Sequence, residues 1–463
     1  MKKLLFMFAT AALVLSACSN DGEVAVNDGA AQLQSGSGVV GFDIYTSSAT
    51  KADAWIGKTG VMTTTTLKDA PASGGGFGVF ATYSDGTPGA YLAAQGPNFM
   101  YNQLVKWNTT SLGWEYTPLK YWPNETAHDS QSPQATMSTR VDKLTFFAYA
   151  PYVASSDAAQ GELTGVTYTS HVPNADQYGI IQVTPNDADT DPKVTYRVSK
   201  DPAQTVDLLW GVAPAGGLSY TDVAGGASGA LEGKPLINLV KPNKDQKIKF
   251  LFQHALSRIN FTVVGAFDQI APGGKKDSET KVLVKQVDVF EGTAGSIITD
   301  GKLNLNNTSA WTALWEDKAG KAAPGYTASP LFSVSGDAIT ASILDGGDVA
   351  FDTQKAGVTT AETPLFADAT KFFAVIPNDG TQFVFEITYY VQTKDPALAP
   401  TGSVDGSRVE NVVRVPVTVD LKNNKSYNFR LILGLTSVKI AAEVADWELA
   451  GDVDAYLPQN KAN

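Results

Sequence analysis

The chain is short of the residues that carry most enzyme chemistry. Its 463 residues include one Cys and three His, so thiolate metal clusters, disulfide frameworks and most imidazole-based catalysis lack raw material. Charged residues make up 18%, below the usual share of about a quarter. The charge that is present leans acidic, with 35 Lys and Arg against 47 Asp and Glu for a net charge of −12. A surface of that sign repels phosphate, so no nucleic-acid partner is expected. The longest apolar run, near Leu4–Ala17, falls short of the roughly 20 residues a spanning helix needs. What is plentiful is apolar and aromatic material, 43% and 10%, enough for packed cores in two or more domains. This balance favours an exported protein that binds or assembles over an enzyme.

The N-terminus explains the lone Cys. Lys2 and Lys3 precede an apolar stretch, Leu4–Leu15, which runs into Leu15-Ser16-Ala17-Cys18. A basic start, a short apolar core and small residues before a cut describe a secretory signal peptide over residues 1–17. A Cys directly after Leu-Ser-Ala resembles a bacterial lipobox, whose Cys is lipidated and becomes the new N-terminus. Cys18 is therefore the candidate lipidation site, and the outer-membrane lipid its implied partner. Removing residues 1–17 takes away Lys2 and Lys3, leaving 33 against 47, or −14. Residues 18–40 are rich in Gly, Ser, Ala, Asn and Asp and are expected to form a flexible acidic tether.

Beyond the tether, period-2 alternation dominates. In Val412–Leu421, Val413, Val415, Val417 and Val419 share one face, with Arg414, Pro416, Thr418 and Asp420 on the other. Pro416 offers no amide donor, which predicts an edge strand or a bulge. Gln382–Thr393 repeats the pattern with Phe383, Phe385, Ile387 and Tyr389. Further strands are expected at Lys143–Ala150, Lys193–Ser199, Asp207–Val212, Lys247–Gln253, Arg258–Val264, Lys281–Phe290, Lys371–Ile376 and Tyr427–Leu433. Short strands separated by Gly and Pro imply an all-β protein built of sandwiches or barrels. The Gly- and Ala-rich stretch from Gly211, followed by the Pro- and Lys-rich Lys234–Lys247, suggests a linker. An N-terminal domain over residues 41–240 and a C-terminal one over 247–463 are expected.

Candidate chemical sites are few. His128 and His171 sit in polar, loop-like stretches, and His254 lies in the apolar Phe252-Gln253-His254-Ala255-Leu256, where a satisfied structural role suits it. No nucleophile elbow occurs, and Gly74-Gly75-Gly76 lacks the Lys-Ser/Thr ending of a phosphate loop. Asp187, Asp189 and Asp191 echo a calcium loop, but Pro192 and Val198 stand where Gly and a bidentate acid are required. No metal site, cofactor or catalytic residue is assigned. Trp107, Trp114 and Trp122, with Tyr101, Tyr116 and Tyr121 nearby, offer either a glycan-stacking face or a hairpin whose aromatics fill the core.

Several segments, taken in order, resemble the fimbrillin family of Bacteroidetes surface lipoproteins, the subunits of type V pili. They are the lipobox, Phe77-Gly78-Val79-Phe80-Ala81, Trp114-Glu115-Tyr116 through Lys120-Tyr121-Trp122-Pro123, and Phe146-Phe147-Ala148-Tyr149-Ala150-Pro151. Next come Asp207-Leu208-Leu209-Trp210, Phe252-Gln253-His254-Ala255-Leu256-Ser257-Arg258-Ile259 and Leu433-Gly434-Leu435-Thr436 to Val444-Ala445-Asp446-Trp447. The resemblance implies two transthyretin-like β-sandwich domains in tandem, a place on the outer membrane or in a fimbrium, and other pilus subunits as partners. It also implies assembly by strand exchange, in which a protease removes a first strand and another subunit's segment fills the groove. On this chain the strand to be removed would carry Val40, Phe42 and Ile44 on its apolar face. The family's best-known members are cut after Arg, whereas the first Arg here is Arg140. Lys51 is the candidate cleavage point, with Lys58 behind it. The candidate donor strand carries Val438, Ile440, Ala442 and Val444, with a host or bacterial surface ligand as a further expected partner. Alternatives are a monomeric glycan-binding surface lipoprotein and, third, a surface glycosidase.

Overall fold

The computed structural model describes residues 39–46, 62, 64–70, 75–84, 91, 96–123, 143–153, 178–184, 191–214, 232–239, 247–266, 280–320, 329–335, 357–358, 361–366, 372–394, 406–434 and 438–446. Within them the protein is all-β: 21 strands in four sheets, with one four-residue helix, α1, at Thr64–Leu67.

The first sheet holds β1 (Phe42–Thr46), β2 (Phe77–Ser84), β3 (Met100–Asn108), β4 (Gly113–Glu115), β5 (Lys143–Ala150), β8 (Leu209–Val212), β9 (Leu236–Leu239) and β10 (Ile248–His254). Its order is β1-β10-β8-β5-β2-β3-β4, with β9 also on β5. The second joins β11 (Ser257–Gly265) to β16 (Thr363–Pro364), β17 (Phe373–Val375) and β20 (Lys425–Leu433), and β20 to β21 (Val438–Asp446). The third runs β15 (Phe332–Ser335), β12 (Thr280–Glu291), β18 (Thr381–Lys394) and β19 (Gly406–Val419). The fourth runs β14 (Leu314–Gly320), β13 (Ile298–Asn304), β7 (Lys193–Arg197) and β6 (Gly179–Thr184).

Alternation accounts for the third sheet. β18 buries Phe383, Phe385, Ile387 and Tyr389, the face its pattern predicts, and pairs with β19 over its whole length. β19 is the edge strand, as Pro416 requires, and its opposite face leaves Arg414, Pro416 and Thr418 exposed. In β12 the register slips between Val284 and Gln286, so one bulge lets Val282, Val284, Val287 and Val289 all reach the core.

The first sheet obeys a different rule. In β5 every residue from Leu144 to Ala150 is buried, because the strand is covered on both sides. Phe146 and Ala148 join one core with Phe77 and Val79; Phe147 and Tyr149 join the other with Tyr101 and Trp210. Strands buried on two faces read as continuous apolar runs instead of alternating ones. Close packing also fixes Gly78: a Cβ there would stand 2.3 Å from a Tyr149 ring carbon. That ring is held by its hydroxyl, which donates to Asn102 Oδ1 at 2.8 Å.

Three pairings cross the 240–247 segment, one of them between β1 and β10. β10 lies beyond it yet joins the first sheet beside β8, and β7 lies before it yet pairs with β13. The second core runs on through the other three sheets.

Candidate functional site

β1 occupies an unusual place. Its neighbour β10 runs parallel to it, with Phe42 opposite Ile248, Ile44 opposite Phe250 and Thr46 opposite Phe252. Just before β1, Val39 bridges Tyr121 in antiparallel fashion, and the Val40 amide donates to the Lys120 carbonyl at 2.9 Å. The sheet's path starts at β1 and ends at β4, and the segment past β4 returns to meet the lead into β1. The β1 strand thus closes the gap between the sheet's two ends, held on both sides by backbone hydrogen bonds.

The expected apolar face points inward. Val40, Phe42 and Ile44 are 0%, 1% and 4% exposed. The Phe42 ring packs against those of Tyr116 at 5.4 Å, Phe146 at 5.9 Å, Phe250 at 6.2 Å and Phe77 at 6.4 Å between centroids. The Tyr116 hydroxyl donates to the Val40 carbonyl at 2.7 Å. Burial pushes the Tyr116 phenol up to about 12, against the smaller opposing effect of its contact with the Lys120 backbone, so it remains a donor across the physiological range.

A second tie lies behind β10. Asp207 is fully buried and receives the Met62 amide at 2.7 Å on Oδ2. His254, at the end of β10, places Nδ1 2.8 Å from that same oxygen and 3.0 Å from Oδ1. A buried carboxylate needs such partners. Asp207 and His254 therefore pin Met62 and the helix α1, whose Leu67 is buried in the core that receives Phe42. His254 has the structural role its apolar setting suggested. The Asp207 link was not legible in the sequence, since the two residues are 47 positions apart.

At the other end of the chain, β21 lies at the edge of the second sheet and pairs antiparallel with β20 from Val438–Leu433 to Asp446–Lys425. Ile440 is buried, and Ala442 and Val444 are partly buried against the core. Ala441 is buried as well, so the strand is covered on both faces there. The Val438 side chain lies outside the described ones.

Two of the three tryptophans are buried. Trp114 and Trp122 are each 9% exposed and belong to the core around Phe77 and Phe146. Trp107 sits directly opposite Trp114 across the β3–β4 hairpin at 5.4 Å, with the Lys68 ammonium 4.2 Å from its ring centre. Cross-strand pairing sets Trp114 into the core with Trp107 partly buried beside it. Asp191 accepts from Asn304 and Asn306. Cys18, Lys51, Lys58, His128, His171, Asp187 and Asp189 lie outside the described residues.

No family model matches the chain. It is 34% identical over 154 residues to the fimbrium subunit Fim1C of Phocaeicola vulgatus, a match covering 33% of this chain and 31% of that protein. The chain thus matches under a third of that relative's length. Its fold is similar to the crystal structure of a fimbrial protein from Bacteroides vulgatus, with a TM-score of 0.55 at 19% identity, covering 88% of this chain and 99% of that one. The likeness in fold spans most of this chain, whereas the likeness in sequence spans a third of it.

Proposed function

We propose that this chain is a structural or adhesive subunit of a cell-surface pilus, without enzymatic activity, exported as a lipoprotein through Cys18 and built into the fimbrium by strand exchange. The observation that carries the reading is the placement of β1. It is short, and among the described residues its only strand partner is β10, yet it covers a cleft lined by Phe77, Tyr116, Phe146 and Phe250. Loss of such a strand exposes two backbone edges and an apolar floor together, a combination that captures another extended segment. Asp207 holds Met62 independently of β1, so a cut at Lys51 would release the strand while the chain from Met62 onward stays docked. The similarity to a fimbrium subunit supports the same reading.

In this scheme β21, an edge strand near the end of the chain, is the candidate donor to a neighbouring subunit, and the outer membrane holds the uncut precursor. Transthyretin-like sandwiches are the domain form that fits. The competing reading, a monomeric glycan-binding lipoprotein using Trp107, Trp114 and Trp122, loses its surface because two of the three rings are core. Mass spectrometry of the mature N-terminus on cells tests the proposal. A lipidated Cys18 in the precursor and an Ala52 start in assembled material are expected; assembled subunits that retain residues 39–46 would overturn the exchange step.

A further inference from the structure

The cleft under β1 is shaped for a particular side chain. Its floor is made of rings from four separate segments, and Phe77 among them is backed by further rings: it meets Phe250 of the same floor at 6.3 Å, and Trp114 and Phe252 behind it at 5.2 and 5.4 Å. A wall of interlocked rings cannot collapse onto a smaller guest, so a missing aromatic leaves a void. The backbone fixes where that guest must sit. The Val40 amide and carbonyl bond Lys120 and Tyr116, and the Gly41 carbonyl accepts from the Ile248 amide at 2.8 Å. A slip of one residue would turn Gly41 and Asp43 inward in place of Val40, Phe42 and Ile44.

We infer that the cleft selects an extended segment with an aromatic residue at the Phe42 position and aliphatic residues two places to either side, supplied by a partner other than β21 of a second copy. This deepens the strand-exchange reading and rests on it. The alternate residues of β21 are Val438, Ile440, Ala442 and Val444, so every in-phase placement sets Ile, Ala or Val over the ring-walled pocket. The opposite phase drives Lys439 and Glu443 into the floor. A filament joined through this cleft is therefore made with a partner whose inserting strand carries the aliphatic–x–aromatic–x–aliphatic pattern.

The test uses the full chain with a specific protease site placed within residues 47–61. After cleavage the chain is unfolded in urea, separated from its β1 fragment, and refolded with fluorescent peptides: residues 39–46, the same peptide with Phe42→Ala, and residues 438–446. The 39–46 peptide should be retained, with the Phe42→Ala and 438–446 peptides ~100-fold weaker or worse, as loss of a large buried side chain requires. Binding of either weaker candidate within about threefold of the 39–46 peptide would overturn the selectivity while leaving strand replacement standing. Retention of none of them, the 39–46 peptide included, would overturn strand replacement and this inference with it.

Discussion

At the scale of single residues, the cleft depends on Phe42, Tyr116 and Asp207. Phe42 is enclosed by four rings that have little room to relax, so Phe42→Ala should cost about 3–5 kcal/mol, measured by urea unfolding of the uncut chain. Tyr116 gives a pH signature. Its folded pKa is raised to about 12 by burial, above the roughly 10 of an unfolded tyrosine. The stability this contributes is fully present below pH ~10 and is lost as pH rises through the folded value. Tyr116→Phe should therefore flatten part of the alkaline decline in the urea midpoint; an unchanged slope above pH ~10 would contradict the role given to this phenol. Asp207→Ala leaves the Met62 amide without its acceptor in the interior and takes the carboxylate away from His254. An unsatisfied buried donor costs about 1–3 kcal/mol, and faster proteolysis at residues 62–67 should accompany the loss.

At the scale of elements, the strands divide into those fixed by alternation and those fixed by enclosure. β18 and β19 were legible because one face of each is apolar and the other is not. β5 was legible as an apolar run, but which of its residues meet which core follows only from the layers on either side. The bulge in β12, the short helix α1 and the β13–β14 pair left no such trace, because bulges and short pairings depend on partners distant in sequence. β2 makes the dependence measurable. Gly78→Ala would press a methyl group into the Tyr149 ring, and a large drop in melting temperature is expected even though alanine suits the backbone better than glycine. Truncation after Thr436 removes β21, the buried Ile440 with it, and one flank of β20. The truncated chain should no longer join a different neighbouring subunit in pili on cells and should melt at a lower temperature; unchanged incorporation into those pili would eliminate β21 as donor.

At the scale of the whole molecule, the sheets bind the chain's two halves together. β10 completes the first sheet from beyond residue 247, and β7 carries the fourth sheet back to β13. The two expected domains, 41–240 and 247–463, remain a proposal for how the chain is organised, with those crossings as the feature any boundary must accommodate. Assembly is the property that belongs to this scale. Lys51→Ala should leave a folded precursor that enters no oligomer ladder in pili sheared from cells, where the other subunits are present, read by gel electrophoresis without boiling. Unchanged ladders would remove Lys51 from the scheme and leave Lys58 as the next basic position.

The sequence by itself determined the all-β class, the edge character of β19, and the inward set Val40, Phe42 and Ile44, because period-2 alternation and proline chemistry are local. Its single Cys leaves no material for a disulfide within the chain or for a cluster of several thiolates. Only the tertiary structure decided that β1 lies parallel to β10 and bridges to Tyr121, that Asp207 and His254 hold Met62, and that Trp114 and Trp122 are core instead of surface. Those outcomes join residues tens to hundreds of positions apart. The physical reason is that an aromatic or a buried carboxylate carries the same local signal whether it faces a ligand or its own chain, and only packing tells the two apart.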